Sequence, residues 1–208
     1  MTSFRGHPVF SWAYARLGPM SDRRGTGERR RQLLANASGR VVEVGAGTGL
    51  NFPHYPPDVT DVRAIEPDPY MFRRLVAAMS TSSVPVKVRR APVEAMSIDV
   101  GSADTVVMSL VLCSVADVGV ALSEARRALK HGGRLLFFEH VRAEGGRLSR
   151  WQDRLERPWG IVSGGCHPNR DTLAAIRSQG FEVQDVERFD EPGGMLARPH
   201  IIGWATKP

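Results

Sequence analysis

The chain has 208 residues, 42% hydrophobic and 24% charged, which is enough for one globular domain with a sizeable core. Its net charge of +6 comes from 25 Arg and 3 Lys against 22 acidic residues, and no apolar run reaches bilayer length. Two cysteines, Cys113 and Cys166, exclude a disulfide framework and show no zinc-type spacing, so the expectation is a single domain over 1–208, in a reducing cytoplasm, without membrane anchor or metal.

Met1 to Met20 holds Phe4, Val9, Phe10, Trp12 and Tyr14 but no unbroken apolar core, so it does not read as a signal peptide. Residues 1–38 read as a helical cap, with a helix over Thr26 to Ala37 closed at Ser38-Gly39. Arg23, Arg24, Arg29, Arg30 and Arg31 read as a solvated helix face, because no aromatic stacking motif accompanies them. Arg40 to Val44 is a short apolar strand, and Asp61 to Ile65 a second. Helical spacing marks Pro69 to Met79, and strand alternation marks Val84 to Arg89. The near-continuous apolar run Asp104 to Leu112 fits a buried parallel strand. An amphipathic helix over Val118 to Lys130 stops at His131-Gly132-Gly133, and Arg134 to Val141 is a further strand. Arg142 to Pro168, rich in Trp and Gly, reads as an irregular cap. A helix from Asn169, its expected cap, to Gln179 ends at Gly180. Phe181 to Phe189 and His200 to Thr206 follow with only a loop between them, so they should run antiparallel. Alternating strands and helices predict an α/β fold, a mostly parallel seven-stranded Rossmann-like sheet closed by a C-terminal antiparallel hairpin.

Three motifs carry chemistry. In Val41-Val42-Glu43-Val44-Gly45-Ala46-Gly47-Thr48-Gly49 a strand runs into Gly-x-Gly-x-Gly, which lets the backbone turn tightly against a ligand. The spacing is not the Gly-x-Gly-x-x-Gly of NAD enzymes. In Ile65-Glu66-Pro67-Asp68, Glu66 lies about 20 residues past the first glycine, where a carboxylate accepts hydrogen bonds from ribose hydroxyls; Asp68 fits a helix cap. Ala91-Pro92-Val93-Glu94-Ala95-Met96 follows the third strand, where a loop flanks an adenine ring. There Val93 and Met96 would pack on the ring, and Glu94 would bond its amino group or face solvent.

The order VEVGAGTG, IEPD, APVEAM, DTVVMSLVLCSV, EARRALKHGGRLLFFEHV resembles the class I methyltransferases that use S-adenosylmethionine (SAM), over nearly the whole chain. LNFPHYP, LVLCSV, FFEHVR, Trp151-Gln152, PWG with GGCHPNRDT and RPHIIGWATK are similar to the alkyl thiol S-methyltransferase family and its small bacterial relatives acting on thiols and dithiols. The resemblance implies SAM as cofactor and a small thiol-bearing acceptor, with no nucleic-acid partner. Mammalian members carry a hydrophobic N-terminal anchor that is not read in this sequence. The resemblance also implies that Glu43, Gly45, Ala46, Gly47, Gly49, Asn51, Glu66, Pro67, Val93, Glu94 and Ser109 hold the cofactor, that Asn51 closes the glycine loop, and that Tyr14 covers the methionine end.

A thiol ionises near pH 8.5, so one imidazole suffices as base. His140, after the fifth predicted strand, is the first candidate; His167 is the second, and Glu139 is expected to orient whichever acts. Cys113, in an apolar segment, reads as a small buried side chain with no covalent role, and Trp151 and Trp159 read as lining the acceptor pocket. An O-, N- or C-methyltransferase of a quinone, lipid or secondary metabolite is the alternative. An RNA-binding or RNA-modifying module ranks lower, since no Asn-Pro-Pro-Tyr-like tetrapeptide is present.

Overall fold

The structure is a computed structural model that describes residues 6–191 and 194–208. Phe4 and the first five residues of the expected cap lie outside the described residues. In chain order the elements are α1 (Pro8–Ser21), α2 (Gly27–Leu34), β1 (Gly39–Val44), β2 (Val59–Ile65), α3 (Pro69–Ala78), β3 (Val86–Arg89), β4 (Ala103–Ser109), α4 (Val118–Ala128), β5 (Leu129–His140), α5 (Gly146–Val162), α6 (Thr172–Ser178), β6 (Glu182–Asp190) and β7 (Pro199–Thr206). A π-helical turn, Asp22–Thr26, joins α1 to α2.

The seven strands form one sheet in the order β3-β2-β1-β4-β5-β7-β6, with β7 alone antiparallel to its neighbours. Chain order reverses between β1 and β4, and a crevice opens at the carboxyl ends of the strands at such a switch point. The central strands are apolar on both faces because helices cover both. On one face Val42, Met108, Leu135 and Phe137 pack with Leu122 and Ala125 of α4 and Ile176 of α6. On the other, Val41, Val107, Leu136 and Phe138 pack with Leu33 and Leu34 of α2 and Leu75 of α3.

Three differences from expectation bear on the site. The fifth strand starts at Leu129, before the glycines, because Gly132 donates to Lys207 O and Lys207 to Gly133 O, which holds this stretch on the C-terminal segment. Asp171, not Asn169, caps α6, accepting from Ala174 N at 3.0 Å. The segment expected to be irregular is mostly the 17-residue helix α5, which continues through Pro158. Its buried Gln152 anchors it: Oε1 accepts from Ala143 N, and Nε2 reaches the carbonyls of Val141, Pro168 and Leu196 at 3.2, 2.9 and 2.8 Å. One amide thereby satisfies backbone groups from the end of β5, the loop after α5 and the loop before β7.

Candidate active site

Gly45, Gly47 and Gly49 all adopt left-handed backbone, with φ of 63°, 59° and 82°. Their reasons differ. A Cβ on Gly45 would lie 2.5 Å from Val111 Cγ2, and one on Gly49 would lie 2.7 Å from Ala78 Cβ, so these two serve packing. A Cβ on Gly47 would meet only the Tyr14 ring at 3.7 Å and Met71 Sδ at 3.9 Å. Gly47 therefore faces a gap bordered by Tyr14 and Met71, and Ala46, bonded to Ile65 O at 3.0 Å, ties the loop to β2.

Glu66, just past β2, accepts from Gly47 N and Asp68 N, each at 2.8 Å. Burial pushes its carboxyl up to about 7, against the pull of those two donors. Pro67 is half-buried beside it. Asp68 caps α3 through Tyr70 N and Met71 N and also accepts from His7 N at 2.7 Å, which fastens the start of α1 to the loop.

The arginine cluster divides. Arg23, Arg24 and Arg31 are exposed, but Arg30 is only 4% exposed and is no part of a solvated face. Its guanidinium donates to Asp22 at 3.1 Å, Asn51 Oδ1 at 3.0 Å, Ser109 Oγ at 3.1 Å and Tyr14 Oη at 3.5 Å. Asn51 Nδ2 in turn donates to Glu43, which also accepts from Tyr55 Oη, both at 2.8 Å. Burial lifts the Glu43 carboxyl to about 7, opposed by Tyr55, Asn51 and Arg30. This chain of contacts gathers Tyr14, Arg30, Glu43, Asn51 and Ser109 from α1, α2, β1, the glycine loop's exit and β4. The sequence hid Arg30 because it stands in a run of three arginines, of which Arg31 is exposed and Arg29 is half-buried. Val93 is buried in the core beside β4, and Glu94 is exposed.

Across the switch point, β4 ends at Ser109 and turns through Leu110, which holds φ of 60°. That conformation is strained for a branched side chain. It aims the next three amides at one carboxylate: Val111 N and Leu112 N donate to Glu139 Oε1 at 2.9 Å, and Cys113 N to Oε2 at 3.1 Å. Glu139 thus orients the loop bearing Cys113, and not an imidazole as the sequence suggested. Arg170 Nη1 holds the same loop through Leu112 O at 2.5 Å.

His140 is not a free base. Its Nδ1 lies 3.3 Å from Cys113 Sγ and 3.4 Å from Cys166 Sγ, and its ring packs 4.5 Å from that of His200. Burial drives His200 down to about 3, so it stays neutral and donates from Nδ1 to Arg198 O at 2.9 Å. The S–H bond to Cys166 and burial push the Cys113 thiol up, and the same bond pulls Cys166 down. For His140 burial favours the neutral ring, but the neighbouring sulfur and carboxylate outweigh it and shift the imidazole up. His167 is placed differently. Its side chain is one-third exposed, its backbone N donates to Cys113 O at 2.7 Å, and its Nδ1 lies 2.5 Å from Glu156 Oε1. Glu156, which sequence reasoning missed, sits on α5. Trp159 reaches Cys166 from the same helix, whereas Trp151 is half exposed.

The family described as "Methyltransferase domain" matches residues 42–137, from β1 into β5. The human thiol S-methyltransferase TMT1B is 36% identical, over 95% of this chain and 86% of that protein. The human thiol S-methyltransferase TMT1A is 35% identical, over 85% and 75%. A SAM-dependent methyltransferase from Thermotoga maritima superposes with a TM-score of 0.67 at 20% identity, over 96% of this chain and 98% of that one, a likeness of fold. Among the described residues no helix is long and apolar enough to cross a membrane. The sheet with its reversed β7, the glycine loop at the switch point and identity across most of the chain place this protein in the thiol S-methyltransferase family of class I SAM-dependent methyltransferases.

Proposed function

We propose that this enzyme transfers the SAM methyl group to the sulfur of a small-molecule thiol in a reducing compartment, the cytoplasm. The likeness to thiol S-methyltransferases over most of the chain carries the choice of acceptor. The residues fit SAM. Gly47 opens on a gap that a Cβ would enter, Glu66 offers a buried carboxylate to a ribose diol, and Arg30 offers a buried cation to the methionine carboxylate. Tyr14, Asn51 and Ser109 hold Arg30 in place and Glu43 orients Asn51, and in this reading the adenine packs on the Val93 side of the site. When bound, SAM supplies a methyl group already activated on a sulfonium. The protein's task is then alignment, a dry pocket and a destination for the acceptor's proton. His167 takes that proton: Glu156 engages Nδ1 and leaves Nε2 for the acceptor, and partial exposure lets the proton leave to solvent. His140, engaged by two sulfurs, takes the supporting role.

Purified enzyme with SAM and a matched pair of acceptors, one thiol and one alcohol on the same skeleton, tests the acceptor. The thiol is methylated faster; equal or reversed rates would favour an O-methyltransferase.

Glu66 makes a separate prediction. Glu66→Ala weakens SAM binding by about 1–3 kcal/mol, the usual cost of losing hydrogen bonds to a charged group. The pH dependence follows from its raised pKa of about 7, against an ordinary 4.5. Ribose hydroxyls donate to the ionised form, so SAM affinity rises as pH passes upward through about 7. Stability of the free protein moves oppositely: this carboxyl's contribution is complete below 4.5 and is lost as pH rises through about 7. Calorimetric titrations and melting curves of wild type against Glu66→Gln isolate both effects. If Glu66→Gln keeps the wild-type pH profile of SAM binding, the ribose contact lies elsewhere.

A further inference from the structure

Cys113, His140 and Cys166 come from the loop after β4, the end of β5 and the loop after α5, 27 and 26 residues apart, with no local spacing motif. Their Sγ, Nδ1 and Sγ atoms all lie within 4.8 Å of one another. Two S···N separations are 3.3 and 3.4 Å. Tetrahedral zinc, with Zn–S about 2.3 Å and Zn–N about 2.05 Å, sets its sulfur and nitrogen ligands about 3.5 Å apart. Both S···N separations thus stand close to the ligand spacing of a zinc ion, and the two sulfurs lie within 4.8 Å of each other. Both sulfurs are buried, at 1% and 4% exposure. Two thiolates and a neutral imidazole around a divalent cation sum to zero charge, the state a buried site tolerates best.

The surroundings are built for this cluster. Glu139 grips three successive amides and fixes the position of Cys113. The Trp159 indole N–H is buried, has no hydrogen-bond partner among the described residues, and lies near enough to Cys166 to favour its thiolate. Arg170 adds positive charge beside both sulfurs. Such outer contacts orient metal ligands.

We propose that Cys113, His140 Nδ1 and Cys166 form a binding site for one zinc ion, whose fourth position receives the acceptor sulfur as a thiolate. Zinc entering the site displaces one proton from each cysteine. An acceptor thiol entering the fourth position releases its own proton, to His167 or to water. Sites with three protein ligands and one exchangeable position are the catalytic kind. The three-ligand site stands on its geometry alone, and only the role of the fourth position rests on the thiol-methylation reading.

The full-length protein, stripped with a chelator and kept reduced by a phosphine, is titrated with zinc chloride against a chromogenic chelator. One equivalent binds, and Cys166→Ser and His140→Ala each weaken it by about 10²-fold or more. Circular dichroism and SAM-binding calorimetry check that the variants fold. Failure of the reduced wild type to retain zinc, or equal retention by folded variants, overturns the site. Cobalt(II) added to wild type gives a test that needs no variant: thiolate-to-cobalt charge transfer and intense tetrahedral d–d bands are expected, and weak octahedral bands overturn it. Adding an acceptor thiol without SAM shifts the d–d bands, and the matched alcohol does not. Unmoved bands with the thiol overturn the fourth-ligand role. None of these readouts needs turnover, so an enzyme found to methylate oxygen still returns the metal result.

Discussion

Gly47→Val abolishes SAM binding while the protein still folds. Gly47 has φ of 59°, which a β-branched residue adopts only under strain. Its Cβ direction is open, with Tyr14 at 3.7 Å and Met71 at 3.9 Å as nearest neighbours, so the two extra methyl groups enter the gap between them. The same change at Gly45 or Gly49 would collide with Val111 or Ala78 and damage the sheet's packing. The contrast is therefore diagnostic. Calorimetry should show no heat with SAM or S-adenosylhomocysteine for the Gly47 variant, at a melting temperature within a few degrees of wild type. Gly45→Val and Gly49→Val should lower the melting temperature first. Retained SAM affinity in Gly47→Val would move the cofactor away from this loop. NAD should bind none of these proteins.

The second large effect concerns the proton. His167→Gln lowers turnover of an aliphatic thiol by about 10²–10³-fold, the range of lost general-base assistance, and leaves SAM affinity nearly unchanged. A thiophenol, ionised before it arrives, recovers most of the rate. Glu156→Gln, which removes the carboxylate from Nδ1, follows the same pattern with a smaller loss. A His167 variant that loses the same factor with both acceptors gives that residue a positional role only.

The two ends of this site were unequally legible. The central strands announced themselves because a strand covered on both faces must be apolar throughout. The glycine loop and Glu66 were legible for the same local reason: each motif is contiguous and its chemistry is written within a few residues. Helix α5 was obscured by Gly145-Gly146 at its start, Pro158 near its end and a buried glutamine, Gln152, on the face that packs. Only tertiary partners explain that glutamine, and sequence does not display them. Arg30 was hidden in a run of arginines, and although its ion-pair partner Asp22 is near in sequence, its other partners Asn51 and Ser109 lie 21 and 79 positions away. Cys113 is buried as its apolar segment implied, yet that burial places it against Cys166 and His140, a meeting made by the β4-α4-β5 crossover and the return of helix α5. His140 was correctly set at the sheet's carboxyl edge, but the edge was already furnished with sulfur.

The reversed strand β7 has a consequence for how the chain reaches this state. It lies between β5 and β6, so β6 leaves the ribosome before the only strand it pairs with. Until β7 inserts, β5 offers an open edge lined by Leu135, Leu136, Phe137 and Phe138, and every rung it lacks spans 60 residues of sequence or more. Contacts that distant form late, because loop closure must precede their reward. The assembly step most open to misassociation is therefore the filling of that slot, and a nascent or partly unfolded chain exposes there the strand edge most prone to pairing with another copy.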